Sequence, residues 1–301
     1  MKPYPKITII FPNYNGGNEP IECLKSIKKL SYPQKNLEVI IVDNDSKDGS
    51  KEEIEKKFPE VYLIKNSKNL GFAKAINQGI KRANGKLIFV ANDDLVFEKN
   101  SLKILVDYLL QNSQIGIMGG KIFSKHKPAK ITSAGYQMNR WTGKINISKN
   151  YQKIKEPDWI QGCAILINKK VFQNIGYFDE NFTHFFEDFD FCFHAKKAKF
   201  KVIYLPRAVF WHGESITANK NKPLKYFNWY KSKILFLIKN LPIVNILSIL
   251  TVQILLITPY RALILRDGRF KPFLKALIWN LKNAKTALKI RKSSSILEAN
   301  E

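Results

Sequence analysis

The sequence predicts an α/β protein built on a doubly wound, mostly parallel sheet. Three observations carry this expectation. Short apolar runs recur through residues 5–120, amphipathic stretches of helical length separate them, and polar residues gather where several of the runs end. Strands buried on both faces read as near-continuous aliphatic runs, and the intervening helices make right-handed βαβ crossovers. A chain of 301 residues can bury one large domain and still carry an appendage.

The elements follow in order. Ile7–Phe11 is the first strand, and Pro20–Leu30 a helix with its proline in the first turn, where no N–H is missed. Leu37–Asp43 is the second strand, followed by a turn at Asp45–Gly49 and a charged helix to Lys57. Val61–Lys65, Leu87–Ala91 and Ile115–Gly119 are the next strands, with helices at Ala73–Ala83 and Leu102–Gln111 between them. Residues 124–158 are polar and irregular. A strand at Ala164–Ile167, a helix from Lys169, a loop at Gly176–Phe186, a helix at Asp188–Lys199 and a strand at Lys201–Leu205 complete the region, and no internal repeat is present.

The formal charge is +25, which favours polyanionic partners: nucleic acid, nucleotides or an anionic membrane. Cys23, Cys163 and Cys192 are scattered and lack CxxC spacing, so neither a zinc site nor a disulfide framework is expected. The chain enters a strand almost at once, without the apolar core of a signal peptide, so cytosolic chemistry is expected.

Several constellations carry chemistry. The strand Leu87–Ala91 ends in Asn92, Asp93 and Asp94, where open α/β sheets bind ligands. Adjacent carboxylates repel unless a cation lies among them, and oxygen ligands suit Mg²⁺ or Mn²⁺ and, through them, phosphates; the other reading is a solvated acidic turn. At the end of the second strand Asp43 can accept from a nucleobase imide or a ribose hydroxyl, while Asp45 and Ser46 are read as caps of the next helix. Pro12, Asn13, Tyr14 and Asn15 leave the first strand with amides, an aromatic and flexible backbone, and no GxGxxG or P-loop accompanies them. Asn69, Gly71 and Lys74 open a helix whose N-terminus favours a diphosphate. Finally, Glu187, Asp188 and Asp190 sit in a phenylalanine-rich run, where apolar surroundings raise the basicity of an acid. His212 is a metal ligand or core filler, and His126, His184 and His194 read as structural. Trp159 and Trp211 stack on a sugar face or belong to the core.

In this order, the PNYN loop, VDNDSKDGS, NLGFAKAINQGI, ANDD, GCAILINKKVF, GYFDENFTHFFEDFDFCFHAKKA and a late His-Gly resemble the family-2 glycosyltransferases of GT-A fold, most closely their rhamnosyltransferase-type branch. The resemblance spans residues 5–217. It implies an inverting, metal-dependent transfer from a nucleotide-diphosphate sugar, UDP- or dTDP-linked, to a hydroxyl of a glycan or lipid-linked acceptor in cell-surface polysaccharide synthesis. By position it implies that Asp43 reads the base, Asp94 binds Mg²⁺ or Mn²⁺ with His212 completing the shell, Asp93 is secondary, and Asp188 is the general base. Asn92 stands where a strict DXD motif has its first aspartate.

Residues 218–301 are expected to form a second, helical region. Residues 216–301 hold 16 Lys+Arg against 3 Asp+Glu, and Leu241–Tyr260 carries no charge. Twenty apolar residues can span a bilayer, but basic residues flank both ends, against the positive-inside tendency. An interfacial or re-entrant segment on an anionic membrane fits better, at the inner face of the cytoplasmic membrane; an appendage packed on the catalytic domain or an oligomer contact is the other reading. Rival functions are a polyprenyl-phosphate sugar transferase on the same fold, an inactive relative, and a basic nucleic-acid-binding protein. The last explains the charge but not the acids at the strand ends, and no nucleic-acid motif is present.

Overall fold

A computed structural model describes residues 3–148, 150–213, 221–285 and 287–289. The chain divides into two compact units: residues 1–137, 146–180 and 187–214 make the first, and residues 138–145, 181–186 and 215–301 the second. The expected boundary at 217/218 lies outside the described residues.

In the first unit the predicted alternation appears as β1 (Ile7–Asn13), α1 (Glu19–Lys28), β2 (Leu37–Asp43), α2 (Ser50–Lys57), β3 (Tyr62–Lys65), α3 (Phe72–Arg82) and β4 (Leu87–Ala91). Then come β5 (Leu95–Phe97), α4 (Ser101–Leu110), β6 (Ile115–Ser124) and β7 (Ile131–Ser133). Strands β8 (Tyr136–Met138) and β9 (Ile145–Ile147) flank the turn at 139–144, and β10 (Ala164–Asn168), α5 (Lys169–Ile175), α6 (Glu187–Lys197) and β11 (Lys201–His212) follow. The main sheet runs β3-β2-β1-β4-β10-β6-β11-β5, with β7 on β6.

The fold is the expected α/β architecture, a mostly parallel sheet flanked by helices, and its antiparallel pairings lie beyond β4. Strands β3, β2, β1 and β4 are parallel, and β10 then enters antiparallel between β4 and β6, with Ala164 opposite Ala91. Strand β10 follows a long excursion after β6, so its place was not readable from alternation along the chain. Strand β5 was missed because three residues show no periodicity, and β11 runs seven residues past its expected end. Residues 124–158 contain β7, β8 and β9 rather than only irregular chain.

One face of the sheet packs Ile7, Ile9, Phe11 and Phe89 against Ile21, Leu24 and Ile27 of α1 and Leu102, Leu105 and Val106 of α4. Phe89, Phe97 and Phe210 form an aromatic knot with ring centroids 5.0–5.5 Å apart, which fastens the short β5 to the sheet.

The second unit contains α7 (Lys222–Asn240), α8 (Ile243–Leu265, with two π-helical segments) and α9 (Phe270–Lys282). Tyr230 and Ile234 of α7 pack with Phe273 and Ala276 of α9. Lys231 donates to Thr183 Oγ1 (2.9 Å), Ser232 to the His184 carbonyl (2.8 Å) and Lys233 to the Gly143 carbonyl (2.9 Å), which ties the two short inserted segments to α7. Burial pushes the Lys233 ammonium down to about 8. Among the described residues, α8 is the one helix long and apolar enough to cross a membrane, with mean hydropathy 1.9. It extends beyond the expected uncharged window and includes Arg261.

Candidate active site

The residues given ligand, metal or base roles in the sequence lie in the first unit, where contacts join Asn13 to Asp43 at the ends of β1 and β2, and Asn92 and Asp94 to His212 beyond the end of β4. Asn13 and Asp43 are register partners in the parallel pair β1–β2. Both are fully buried, and Asn13 Nδ2 donates to Asp43 Oδ2 (2.8 Å) and lies within hydrogen-bond distance of Ser46 Oγ (3.1 Å) and Ser50 Oγ (2.9 Å). Asp43 Oδ1 accepts from the Ser46 amide (2.9 Å). The Asn15 amide donates to Ser46 Oγ (3.0 Å), and Asn15 Oδ1 accepts from the Lys47 amide (2.7 Å). The two first loops are therefore laced into one rigid rim, from which Tyr14 projects 42% exposed.

This lacing corrects one expectation. Asp45 and Ser46 do not cap α2: the helix begins at Ser50 after Gly49, Asp45 pairs with Lys47, and Ser46 is spent on the first loop. Asp48 takes the local role instead, accepting from the Ser50 amide (3.1 Å) and the Gly17 amide (2.8 Å).

At the opening of α3, Asn69 Oδ1 accepts from the Gly71 amide (2.9 Å), and Lys74 is exposed in the first turn, which holds no acid. The buried Asn44 accepts from Asn66 Nδ2 (3.0 Å) and from the Leu70 amide (3.5 Å), so it joins the β2 loop to the α3 entrance. Asn44 was missed in the sequence, where it looks like one more polar turn residue.

The ANDD turn meets the end of β11. His212 pairs opposite Leu95 in the antiparallel β5–β11 ladder, which brings its Nε2 to 3.0 Å from Asp94 Oδ1 and 3.0 Å from Asn92 Nδ2. The Gly213 amide donates to the Asp94 carbonyl (3.2 Å). Burial first, and then the Asp94 carboxylate, push Asp93 up to about 8. Gly16 couples this turn to the first loop: a Cβ there would lie 2.6 Å from Asn13 Oδ1 and 2.8 Å from Asp93 Oδ2.

The donor chemistry fits a divalent cation held jointly with a ligand. One carboxylate and one imidazole nitrogen converge, and among the described residues no group of three or more His, Cys, Asp or Glu side chains gathers to hold an ion. Cations of the Mg²⁺ and Mn²⁺ type are commonly held by one or two protein carboxylates, with substrate phosphates and water supplying the remaining ligands.

Asp188 is the second residue of α6, which begins at Glu187 directly after Phe185 and Phe186, both at φ +69°. Its Oδ2 accepts from the Gly162 amide and its Oδ1 from the Phe189 amide, each at 2.8 Å. Burial raises Asp188 above the usual carboxylate range, while these two donors hold it back. Burial and the Asp188 charge likewise raise Glu187, whose Oε2 is buried without a hydrogen-bond partner. The segment 162–163 connects the centres: the Cys163 carbonyl accepts from the Asn92 amide (3.2 Å), one residue from the Gly162 amide on Asp188. Asp190 faces His194 (3.7 Å) one turn along α6.

Trp159 is unavailable to a sugar. Tyr136 and Phe189 stack on it at centroid distances of 4.7 and 4.2 Å and interplanar angles of 17° and 21°. Trp211 stacks on Phe123 at 6.3 Å.

A mixed α/β sheet with buried acids at the carboxyl ends of its parallel strands, and a second acidic centre on a following helix, places the candidate groups where open α/β sheets bind ligands. The glycosyl transferase family 2 profile matches residues 8–176, and the chain belongs to that family and is a glycosyltransferase. Over 77% of its length it is 22% identical to 83% of an N-acetylglucosaminyl-diphospho-decaprenol L-rhamnosyltransferase of Mycobacterium tuberculosis. It superposes on S. aureus TarS 1–349 in complex with UDP-GlcNAc at TM-score 0.60 and 17% identity, covering 90% of this chain and 79% of that one. The mannosyltransferase PcManGT of Pyrobaculum calidifontis, in complex with GDP-Man and Mn²⁺, gives TM-score 0.56 and 16% identity over 99% and 85% of the two chains. These likenesses establish the GT-A fold.

Proposed function

We propose that the protein transfers a sugar, with inversion, from a UDP- or dTDP-linked donor to a hydroxyl of a glycan or lipid-linked acceptor in cell-surface polysaccharide synthesis. The observation that carries this reading is Asp188: a buried carboxylate with raised basicity, held by two backbone amides and linked through residues 162–163 to the turn that carries Asp94.

An ordinary aspartate near pKa 4 is a feeble base at neutral pH. Burial makes Asp188 a better one, and the amides of Gly162 and Phe189 fix the direction in which its remaining lone pairs point. Asp188 takes the proton of the acceptor hydroxyl as that oxygen attacks the anomeric carbon, while the bond from the anomeric carbon to the diphosphate oxygen breaks on the opposite face. The acceptor gains the sugar, and the nucleoside diphosphate departs. Asp43, at the rim, accepts from the imide N–H of uracil or thymine, and the α3 N-terminus with Lys74 faces the diphosphate. Asp94 and His212 are the residues that would hold Mg²⁺ or Mn²⁺, which when bound supplies positive charge against the leaving diphosphate.

The lipid-linked acceptor draws support from the mycobacterial relative, whose name specifies such an acceptor, and the cation from the Mn²⁺ bound to PcManGT. Such an acceptor is met at a membrane, and an anionic inner face suits the basic second unit. The test is a panel of UDP-, dTDP- and GDP-sugars assayed for thermal stabilisation and for cation-dependent transfer. Stabilisation by UDP- or dTDP-sugars is expected, with transfer abolished but donor binding kept in Asp188→Asn. Transfer at the normal rate by Asp188→Asn would remove Asp188 from the role.

A further inference from the structure

The second unit contains a basic, aromatic cavity that the transfer reaction does not use. It encloses about 290 Å³ and is lined by Lys222, Lys225, Tyr226, Trp229, Tyr230 and Arg269. Three cations and three aromatic rings make it a receptor for an anion attached to something apolar. The Arg269 guanidinium lies 4.6 Å from the centre of the Tyr226 ring, so it is held in place by stacking. Asp267, the one acid among residues 221–289, pairs with Arg261 (2.6 Å) and Arg269 (3.3 Å) and lines no part of the cavity. The first turns of α7 line the cavity, and the N-terminus of that helix adds its own positive dipole.

What surrounds the cavity says where the anion resides. Helix α8 buries Ile246 and Ile249 together with polar residues and turns most of its bulky aliphatic residues outward. Its buried side includes Asn245, Gln253 and Thr258, whereas Ile243, Leu247, Leu255, Leu256, Leu263 and Ile264 face outward, Leu263 at 71% exposure. Gln253 Nε2 donates to Thr258 Oγ1 (3.2 Å), so the polar side is satisfied internally. Helix α9 repeats the pattern beside lysines: Phe270, Leu274, Ile278 and Leu281 form an outward stripe at helical spacing, next to Lys271, Lys275 and Lys282. An extended apolar surface edged with cations is the signature of a helix pair lying in a membrane interface.

We propose that the cavity binds the phosphate of an anionic phospholipid headgroup while the outward faces of α8 and α9 enter the adjoining acyl layer, seating the enzyme in the plane of the membrane. This rests on the membrane reading above and names its receptor.

The test is sedimentation of the full chain with vesicles of phosphatidylcholine, with and without phosphatidylglycerol. Three proteins are compared: the wild type, Lys222→Glu/Lys225→Glu, and the charge-matched control Lys282→Glu/Lys289→Glu. Phosphatidylglycerol-dependent binding should fall in both variants, since each basic residue near an anionic surface contributes several-fold in affinity, and at least about tenfold further in the cavity variant than in the control. Equal losses in the two variants would overturn the cavity as a site while leaving membrane binding intact. Absence of wild-type binding to either vesicle would overturn the membrane reading itself. A short-chain, water-soluble phosphatidylglycerol supplies a readout independent of vesicles. It should raise the melting temperature of the wild type and not that of the cavity variant, and the same shift in both would reject the assignment. Soluble inorganic phosphate producing the full shift would show a free-phosphate site in place of a lipid one.

Discussion

The Gly162 amide donates to Asp188 Oδ2 at 2.8 Å, across a gap so narrow that a Cβ on residue 162 would lie 3.2 Å from the Asp188 Cβ. A main-chain donor cannot rotate away as a side chain can, so this bond fixes the direction of the carboxylate. Insertion of β10 between β4 and β6 puts residue 162 there, because the strand runs antiparallel to β4 and starts where β4 ends.

Gly162→Ala should therefore damage transfer more than stability. The added methyl must displace Asp188 by a few tenths of an ångström, and misplacement on this scale costs about tenfold in rate, given that about 1 Å can cost 10²-fold. Steady-state kinetics should show kcat reduced, with donor affinity, measured by calorimetry, unchanged.

The pH profile follows from burial of Asp188. With Asp188 as the proposed base, its raised pKa keeps it protonated, and idle, over a wider acid range than a solvated aspartate would be. The rate should rise with pH through an apparent pKa above the ordinary carboxylate range and then level. In Gly162→Ala the acid limb should move to higher pH, because a donor that favours the ionised form has been weakened. A profile of kcat against pH for both proteins checks the sign.

His212 Nε2 stands 3.0 Å from Asp94 Oδ1. His212→Ala should raise the Mn²⁺ concentration needed for half-maximal transfer by about tenfold or more, comparable to the loss when the surroundings of a metal site are disturbed. Removal of the cation by EDTA should abolish transfer in the wild type, with recovery on adding Mn²⁺. A Mn²⁺ titration of activity, with donor binding followed separately, tests both statements.

Glu38 provides a stability test far from the chemistry. Burial pushes its carboxyl up, but hydrogen bonds from the Asn84 side chain, from Thr8 and from the Asn84 amide outweigh burial and hold it below the usual range. A depressed pKa stabilises the fold at pH values above the unfolded-state value, and the gain is lost as pH falls through the folded value. Glu38→Gln should cost about 1–2 kcal/mol at pH 7, the scale of a charged hydrogen bond, and the difference from wild type should shrink toward pH 3. Urea unfolding at the two pH values measures it.

Local sequence determined the left half of the sheet. The runs Ile7–Phe11, Leu37–Asp43 and Leu87–Ala91 are buried parallel strands, and the acids and amides at their ends meet at one edge, because parallel strands joined by crossover helices all finish on the same side. The candidate acids were readable for the same reason: Asp43 and Asp94 each follow a run whose burial is written in its own composition. Tertiary structure alone decided what those acids touch. That His212 meets Asp94 depends on the three-residue strand β5, too short for any period, and that Asp188 meets a backbone amide depends on β10 arriving from 40 residues past β6. Trp159 could not be assigned from sequence because both of its faces are covered by residues distant in the chain. The same holds for the outward apolar face of α8: composition shows an uncharged window, and only packing shows that Asn245, Gln253 and Thr258 turn inward while Ile243, Leu247 and Leu255 face outward.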